Sequence, residues 1–127
     1  MKTILVDAVN TFVIKWEWIN LEMQKILDKF ENKKIILTNA NSEEKIKFWL
    51  NNLPYELFSL EHNPNKTNSK YYKIFLEKYN LKSDDVIYFE HNLEAVKSAR
   101  SIWINTFHYN KDKKDLESLE KFLINNL

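Results

Sequence analysis

Residues 2–7, Lys2-Thr3-Ile4-Leu5-Val6-Asp7, form a short apolar run that ends in an acid. A run of this length reads as a strand buried on both faces. The pattern recurs at Lys33–Asn39 (KKIILTN) and Asp85–Glu90 (DVIYFE), with weaker strands at Tyr55–Leu60 after Pro54 and at Ile102–Phe107. Helical stretches lie between them. Ile19 to Asn32 places Ile19, Met23, Ile26, Leu27 and Phe30 on one stripe. Asn41 stands three residues before Glu44, a capping-box spacing that opens a helix through Leu50. Thr67 to Asn80 turns Tyr72, Phe75, Leu76 and Tyr79 inward. Asn92 to Ser101 uses Leu93, Val96 and Ala99, and Lys114 to Asn125 uses Leu116, Leu119, Phe122 and Leu123. Strands alternating with helices predict an α/β fold with a parallel sheet covered on both faces. Right-handed crossovers make it a three-layer, doubly wound sheet. No linker, repeat or low-complexity segment divides residues 1–127, which read as one domain.

Composition narrows the function classes. At 127 residues the chain can bury a proper core, and 44% hydrophobic with 14% aromatic content is not that of a disordered chain. The 19 basic and 18 acidic residues leave a net charge of +1, so no nucleic-acid or membrane surface is expected. Cysteine is absent, which excludes disulfides, thiolate metal sites and a cysteine nucleophile. The apolar runs are too short to span a bilayer. The first strand begins almost at Met1, so no signal peptide is expected and the default location is cytoplasmic.

In an open parallel sheet, ligands bind beyond the carboxyl ends of the strands near the switch point. Asp7, Thr38 and Glu90 close three strands at such ends. At these residues the chain resembles the haloacid dehalogenase superfamily. Ile4-Leu5-Val6-Asp7-Ala8-Val9-Asn10-Thr11 is similar to its opening motif, an apolar strand running into Asp-x-Asp-x-Thr or Val. Ile35-Ile36-Leu37-Thr38-Asn39 matches the second motif, a strand ending in Thr or Ser. Lys66-Thr67-Asn68-Ser69 fits the third, a lysine before a helix. Val86-Ile87-Tyr88-Phe89-Glu90-His91-Asn92 fits the fourth, a strand ending in acids, and Leu93 to Ala99 looks like the helix that follows it. The match runs through nearly the whole chain in order.

The resemblance implies five parallel strands in the order 3-2-1-4-5. It makes Asp7 the nucleophile that attacks phosphorus or an electrophilic carbon. The Asp7 carboxylate, the Val9 backbone carbonyl and Glu90 would hold Mg²⁺. Thr38 would bond the transferred phosphoryl oxygens, and Lys66 would neutralise charge on nucleophile and phosphate. The substrate would be a phosphorylated small molecule or macromolecule. Thr11–Ile19 lies where the superfamily has a flap hairpin, and no stretch is long enough for a separate cap domain. Two departures stand out. Val9 replaces the acid that protonates the leaving group, help typically worth ~10²–10⁴-fold in rate, with His91 as a candidate substitute. The fourth-motif acids are reduced to Glu90. Three functions follow: a weak magnesium-dependent phosphohydrolase, a catalytically degenerate domain binding a ligand or partner protein, or carbon–halogen or carbon–phosphorus chemistry.

Taken singly, the same residues have plainer roles. Asp7 and Thr38 can cap loops or helices, Lys66 can be a solvated lysine, and Glu90-His91 can cap the next helix. His62 and His108 lack ligand spacing and read as structural. Asp84-Asp85 precedes its strand, at the wrong end of the sheet, and reads as turn and cap.

Glycine is absent, where average usage of ~7% predicts about nine. Trp16, Trp18, Trp49 and Trp103 stand where small residues are expected, Trp16-Glu17-Trp18 at the flap turn and Trp103 just after a helix. Lysine outnumbers arginine eighteen to one, in keeping with AT-rich codons. Some or all four tryptophans therefore read as UGA codons that the source organism decodes as glycine, in which case Trp103 would overpack its site. The alternative is genuine tryptophans serving as core or flap contacts.

Overall fold

The computed structural model describes all 127 residues. Strands β1 (Thr3–Asp7), β4 (Lys34–Thr38), β5 (Glu56–Ser59), β6 (Val86–Glu90) and β7 (Asn105–His108) form one sheet in the order β5-β4-β1-β6-β7, every pair parallel. In chain order of those five strands this is 3-2-1-4-5, as expected. Strands β2 (Val13–Ile14) and β3 (Trp18–Ile19) pair antiparallel as a small flap hairpin after β1. No helix is long and apolar enough to cross a membrane.

Successive side chains of a strand point to opposite faces, and β1 feeds both. Ile4 and Val6 join Met23, Ile26 and Leu27 of helix α1 (Leu21–Leu27) and Leu119 and Leu123 of helix α5 (Leu116–Asn126). Leu5 joins Tyr71, Tyr72, Phe75 and Leu76 of helix α3 (Lys70–Lys78) and Ala99 of helix α4 (Leu93–Arg100) on the other face. The chain steps from β1 to β4 and β5 on one side, then crosses back from β5 to β6 on the other side of β1. The switch point therefore lies at the carboxyl end of β1, at Asp7.

Several elements are shorter than their sequence patterns. Helix α1 stops at Leu27, not Asn32, because Lys29 and Phe30 donate to Ile26 and Leu27, three residues back, which tightens the chain toward β4. Helix α3 starts at Lys70 because Asn65 Oδ1 accepts from the Thr67 amide at 3.1 Å, and Asn68 Oδ1 from the Lys70 amide at 3.0 Å. These side-chain turns compete with helix. Helix α2 (Ser42–Lys47) has the expected capping box between Asn41 and Glu44 but ends before Leu50. Leu93, expected inward, is exposed: it is the first helical residue after the cap Asn92, and Ala95, Val96 and Ala99 carry the buried face. Tyr79 is only partly buried, and Tyr71 takes an inward place beside Tyr72. Strand β7 begins at Asn105 rather than Ile102, because residues 101–104 are spent closing α4. Its Thr106 carbonyl accepts from Arg100 Nε at 3.2 Å and Nη2 at 2.8 Å, and Thr106 lies on an edge of the sheet.

Phe75 is fully buried and meets Phe58 edge-on at 5.1 Å between ring centroids. Phe75→Ala is expected to lower the free energy of urea unfolding by about 3–5 kcal/mol. The adjacent, exposed Ile74→Ala is expected to change it by less than about 0.5 kcal/mol.

Candidate active site

The loop after β1 builds the first wall of the site. The Phe12 amide donates to the Asp7 carbonyl, and the amides of Thr11 and Val13 donate to the Ala8 carbonyl. Asn10 at φ 70° allows that tight return, a conformation asparagine tolerates. The loop brings Thr11 back over Asp7, so that Thr11 Oγ1 donates to Asp7 Oδ2 at 2.7 Å.

Lys66 comes from the loop before α3. Its amide donates to Asn39 Oδ1 at 2.7 Å, and Asn39 Nδ2 donates to Asn65 Oδ1 at 3.2 Å. These bonds hold the segment against the end of β4 and send the lysine inward, where it is only 5% exposed. Its ammonium lies 2.7 Å from Asp7 Oδ1, 2.6 Å from Glu90 Oε1 and 3.2 Å from the Leu37 carbonyl.

The end of β6 supplies the rest. Glu90 Oε1 accepts from the Tyr88 hydroxyl, and Glu90 Oε2 accepts from the Asn92 amide at 3.0 Å. His91 Nδ1 lies 2.5 Å from Asp7 Oδ2 and 3.3 Å from Glu90 Oε2, while the His91 amide donates to Asp7 Oδ2 at 3.2 Å. Thr38 is buried, and its Oγ1 accepts from the Ala40 amide at 3.2 Å.

Asp7, Val9, Thr38, Lys66, Glu90 and His91 all line one cavity of about 210 Å³ at the carboxyl end of the sheet. The structure thus brings together every residue singled out for the site. The expectation for Asp84-Asp85 also holds: they lie in a short turn, where Asp85 Oδ2 accepts from the Lys82 amide at 2.8 Å. His62 pairs with Glu44 at the cavity rim, and His108 Nε2 meets the His91 carbonyl at 2.9 Å. Thr11 was missed as a site residue although it stands in the quoted opening motif. Tyr88 was missed too; its signal is the period of two that puts it on the same side of β6 as Glu90. The distance of His91 from Asp7 had no sequence signal.

Charge organises the cluster. Burial opposes ionisation of Asp7, but the Lys66 ammonium and the His91 hydrogen bond outweigh it and hold the carboxyl far below the usual range. Burial and the neighbouring Asp7 charge push Glu90 up to about 7. Burial would lower Lys66, but the Asp7 and Glu90 carboxylates raise it well above its ordinary value. Burial likewise opposes the charged form of His91, which its bond to Asp7 more than restores, so its pKa is raised. Of the two neighbouring carboxyls, these surroundings favour the charge on Asp7 and the proton on Glu90.

One carboxylate oxygen each from Asp7 and Glu90 and a ring nitrogen of His91 lie within 4.8 Å of one another, close enough to share a divalent cation if it displaced the contacts of Lys66 and His91 with these acids. Two carboxylates fit Mg²⁺, and the imidazole nitrogen adds affinity for Mn²⁺.

No known family profile matches the chain, and no curated protein matches it. Solved structures do. An uncharacterized protein of Corynebacterium glutamicum superposes with a TM-score of 0.65 at 13% identity, covering 96% of this chain and 95% of that one. The core domain of a "putative phosphoglycolate phosphatase" of Streptococcus pneumoniae gives 0.63 at 16% identity, covering 97% and 95%. The UTR4 protein of Saccharomyces cerevisiae gives 0.54 at 17% identity over 75% of this chain and 48% of its own. At these identities the likeness establishes the fold: a Rossmann-like α/β domain of the architecture that the S. pneumoniae core domain also has.

The charge pattern gives a stability profile. The folded pKa of Glu90 lies above its ordinary 4.5, so between about pH 4.5 and 7 the unfolded chain releases a proton that the folded chain keeps. His91, also raised, adds stability at low pH that is lost as pH rises through its folded pKa. Asp7, depressed, gains its stability above about pH 4 and is constant over this window. Without divalent metal, the thermal midpoint is expected to fall as pH rises from about 5 to 8. Glu90→Gln is expected to flatten that fall, read by scanning calorimetry across the range.

Proposed function

We propose that this chain is a phosphohydrolase of the haloacid dehalogenase type, with Asp7 as its nucleophile. The observation that supports this most is the Asp7 carboxyl, buried at the switch point of the sheet and clamped at Oδ1 by Lys66 and at Oδ2 by Thr11. A carboxylate held at both oxygens is fixed in one orientation toward the cavity, which favours attack from a single direction. The cavity volume suits a phosphoryl group with the first atoms of its ester, the remainder of the substrate lying outside.

In this scheme Asp7 bonds to phosphorus and the ester oxygen leaves with its electron pair, giving an aspartyl phosphate. Lys66 and the Thr38 hydroxyl stabilise charge on the phosphoryl oxygens. Val9 can supply no proton. His91 is the group beside Asp7 able to protonate the leaving oxygen and then to take a proton from the water that hydrolyses the intermediate. A divalent cation held by Asp7, Glu90 and the Val9 carbonyl, Mg²⁺ by the resemblance, would neutralise phosphoryl charge when bound and leave His91 free to carry the proton. The chain acts as a single domain on a phosphorylated small molecule or on a macromolecule, in the cytoplasm.

A second reading has an observation of its own. Lys66 and His91 neutralise both carboxylates without any ion, and no acid stands at Val9. A site so self-contained suits a domain that binds a phosphorylated ligand or a partner protein without turnover.

Magnesium with beryllium fluoride, followed by calorimetry, is expected to bind the wild type saturably and not to bind Asp7→Asn, since the fluoride complex mimics a phosphorylated aspartate. A folded wild type that binds nothing favours the second reading. Val9→Asp is expected to raise kcat toward an alkyl phosphate, whose leaving oxygen needs a proton, by up to about 10²-fold, and to change kcat toward p-nitrophenyl phosphate much less, because it adds an acid–base group at the leaving oxygen beside His91.

A further inference from the structure

All four tryptophans of the chain have positive φ: 69° at Trp16, 74° at Trp18, 56° at Trp49 and 69° at Trp103. Elsewhere only Asn10, Glu61, His62, Asn80 and Lys114 do. In the left-handed region a Cβ crowds the backbone carbonyl; asparagine tolerates this, and bulky side chains there are outliers. That every copy of one bulky residue type adopts it, in a chain with no glycine, calls for one cause.

Three of the positions are glycine positions by their hydrogen bonds, and the fourth, Trp18, by its φ. The Glu17 amide donates to the Ile14 carbonyl at 2.9 Å, closing a turn whose third residue is Trp16. Positive φ at that place defines a type II turn and asks for glycine. Trp49 follows the C-cap of α2, and its amide donates to the Ile46 carbonyl at 3.2 Å. At the end of α4 the Trp103 amide donates to Arg100 at 3.0 Å and the Ile104 amide to Ala99 at 3.2 Å. That pair of bonds is the Schellman ending, with Trp103 at the left-handed position usually filled by glycine. Helix α3 closes with the same two bonds, Asn80 to Glu77 and Leu81 to Leu76, and there the left-handed residue is asparagine. Trp18 has the same backbone where the flap re-enters β3.

The side chains are 74%, 43%, 49% and 84% exposed at 16, 18, 49 and 103. Packing therefore does not account for Trp16 and Trp103, and Trp18 and Trp49 only line a surface groove, outside the core. Trp103 does not overpack its site, as its sequence position suggested; it projects into solvent, and its cost lies in the backbone.

We propose that residues 16, 18, 49 and 103 are all glycine in the protein as its own cell makes it, the four codons being UGA triplets decoded there as glycine. This does not depend on the function proposed above. It changes two surfaces. The groove of about 520 Å³ between Trp18 and Trp49 loses both aromatic walls and is no apolar docking site. The flap tip, whose Lys15 reaches the active-site cavity, has glycine on both sides of Glu17 and so gains backbone freedom.

The test is peptide mass spectrometry on the protein isolated from the organism that encodes it, with the gene read alongside. Glycine mass at all four positions, over UGA codons, is the expected result. Tryptophan mass at even one position, or a UGG codon at one, overturns the proposal. The recombinant chain as written and its quadruple variant Trp16→Gly, Trp18→Gly, Trp49→Gly, Trp103→Gly give an independent readout by thermal unfolding. The variant is expected to have the higher midpoint; an equal or lower midpoint counts against glycine at these sites.

Discussion

The ammonium of Lys66 is the point at which the chain's separate parts are tied. It sits in the interior between carboxylates from β1 and β6 and against a carbonyl of β4. Removing a charge from water costs several kcal/mol, which only close, well-bonded partners offset. Both carboxylates have further partners: Thr11 and His91 on Asp7, Tyr88 and Asn92 on Glu90. No buried side-chain polar atom of the chain lacks a hydrogen bond. The three central strands are thus joined at their carboxyl ends by one charged cluster. Removing either acid leaves the lysine under-compensated, and removing the lysine leaves two facing carboxyls, of which Glu90 must then hold a proton.

The architecture was legible because β1, β4 and β6 are apolar runs that each stop on a polar residue, and because the intervening segments carry helical stripes. The site's principal residues were legible for the same reason: Asp7, Thr38 and Glu90 are where the apolar pattern ends. What escaped was set by local hydrogen bonds that no periodicity encodes. Asn65 and Asn68 delay α3. The Schellman ending of α4 delays β7. Asn92 caps α4 so that Leu93 faces solvent. The approach of His91 to Asp7 depends on the path of the backbone as it leaves β6, which the order of residues does not state.

Val9 and His91 are best considered together. Val9 puts no titratable group into the cavity from the loop after β1, and His91 places one directly on Asp7 Oδ2. In the proposed reaction, proton transfer would fall to the end of β6 instead of the loop after β1. Glu90, close to neutrality in its pKa, lies beside that histidine, so protonation of the cluster and occupation by a cation are competing states of the same few atoms.

Arg100 is the chain's single arginine, and it spends two guanidinium donors on the Thr106 carbonyl of an edge strand. An open edge is a template on which a strand of another molecule can add. With that acceptor occupied from within, β7 offers a broken ladder to any incoming chain. A planar, forked donor can fill both directions at one oxygen, which a lysine's point charge does poorly. In a sequence whose other strongly basic side chains are all lysine, the one guanidinium covers an acceptor on the sheet's edge.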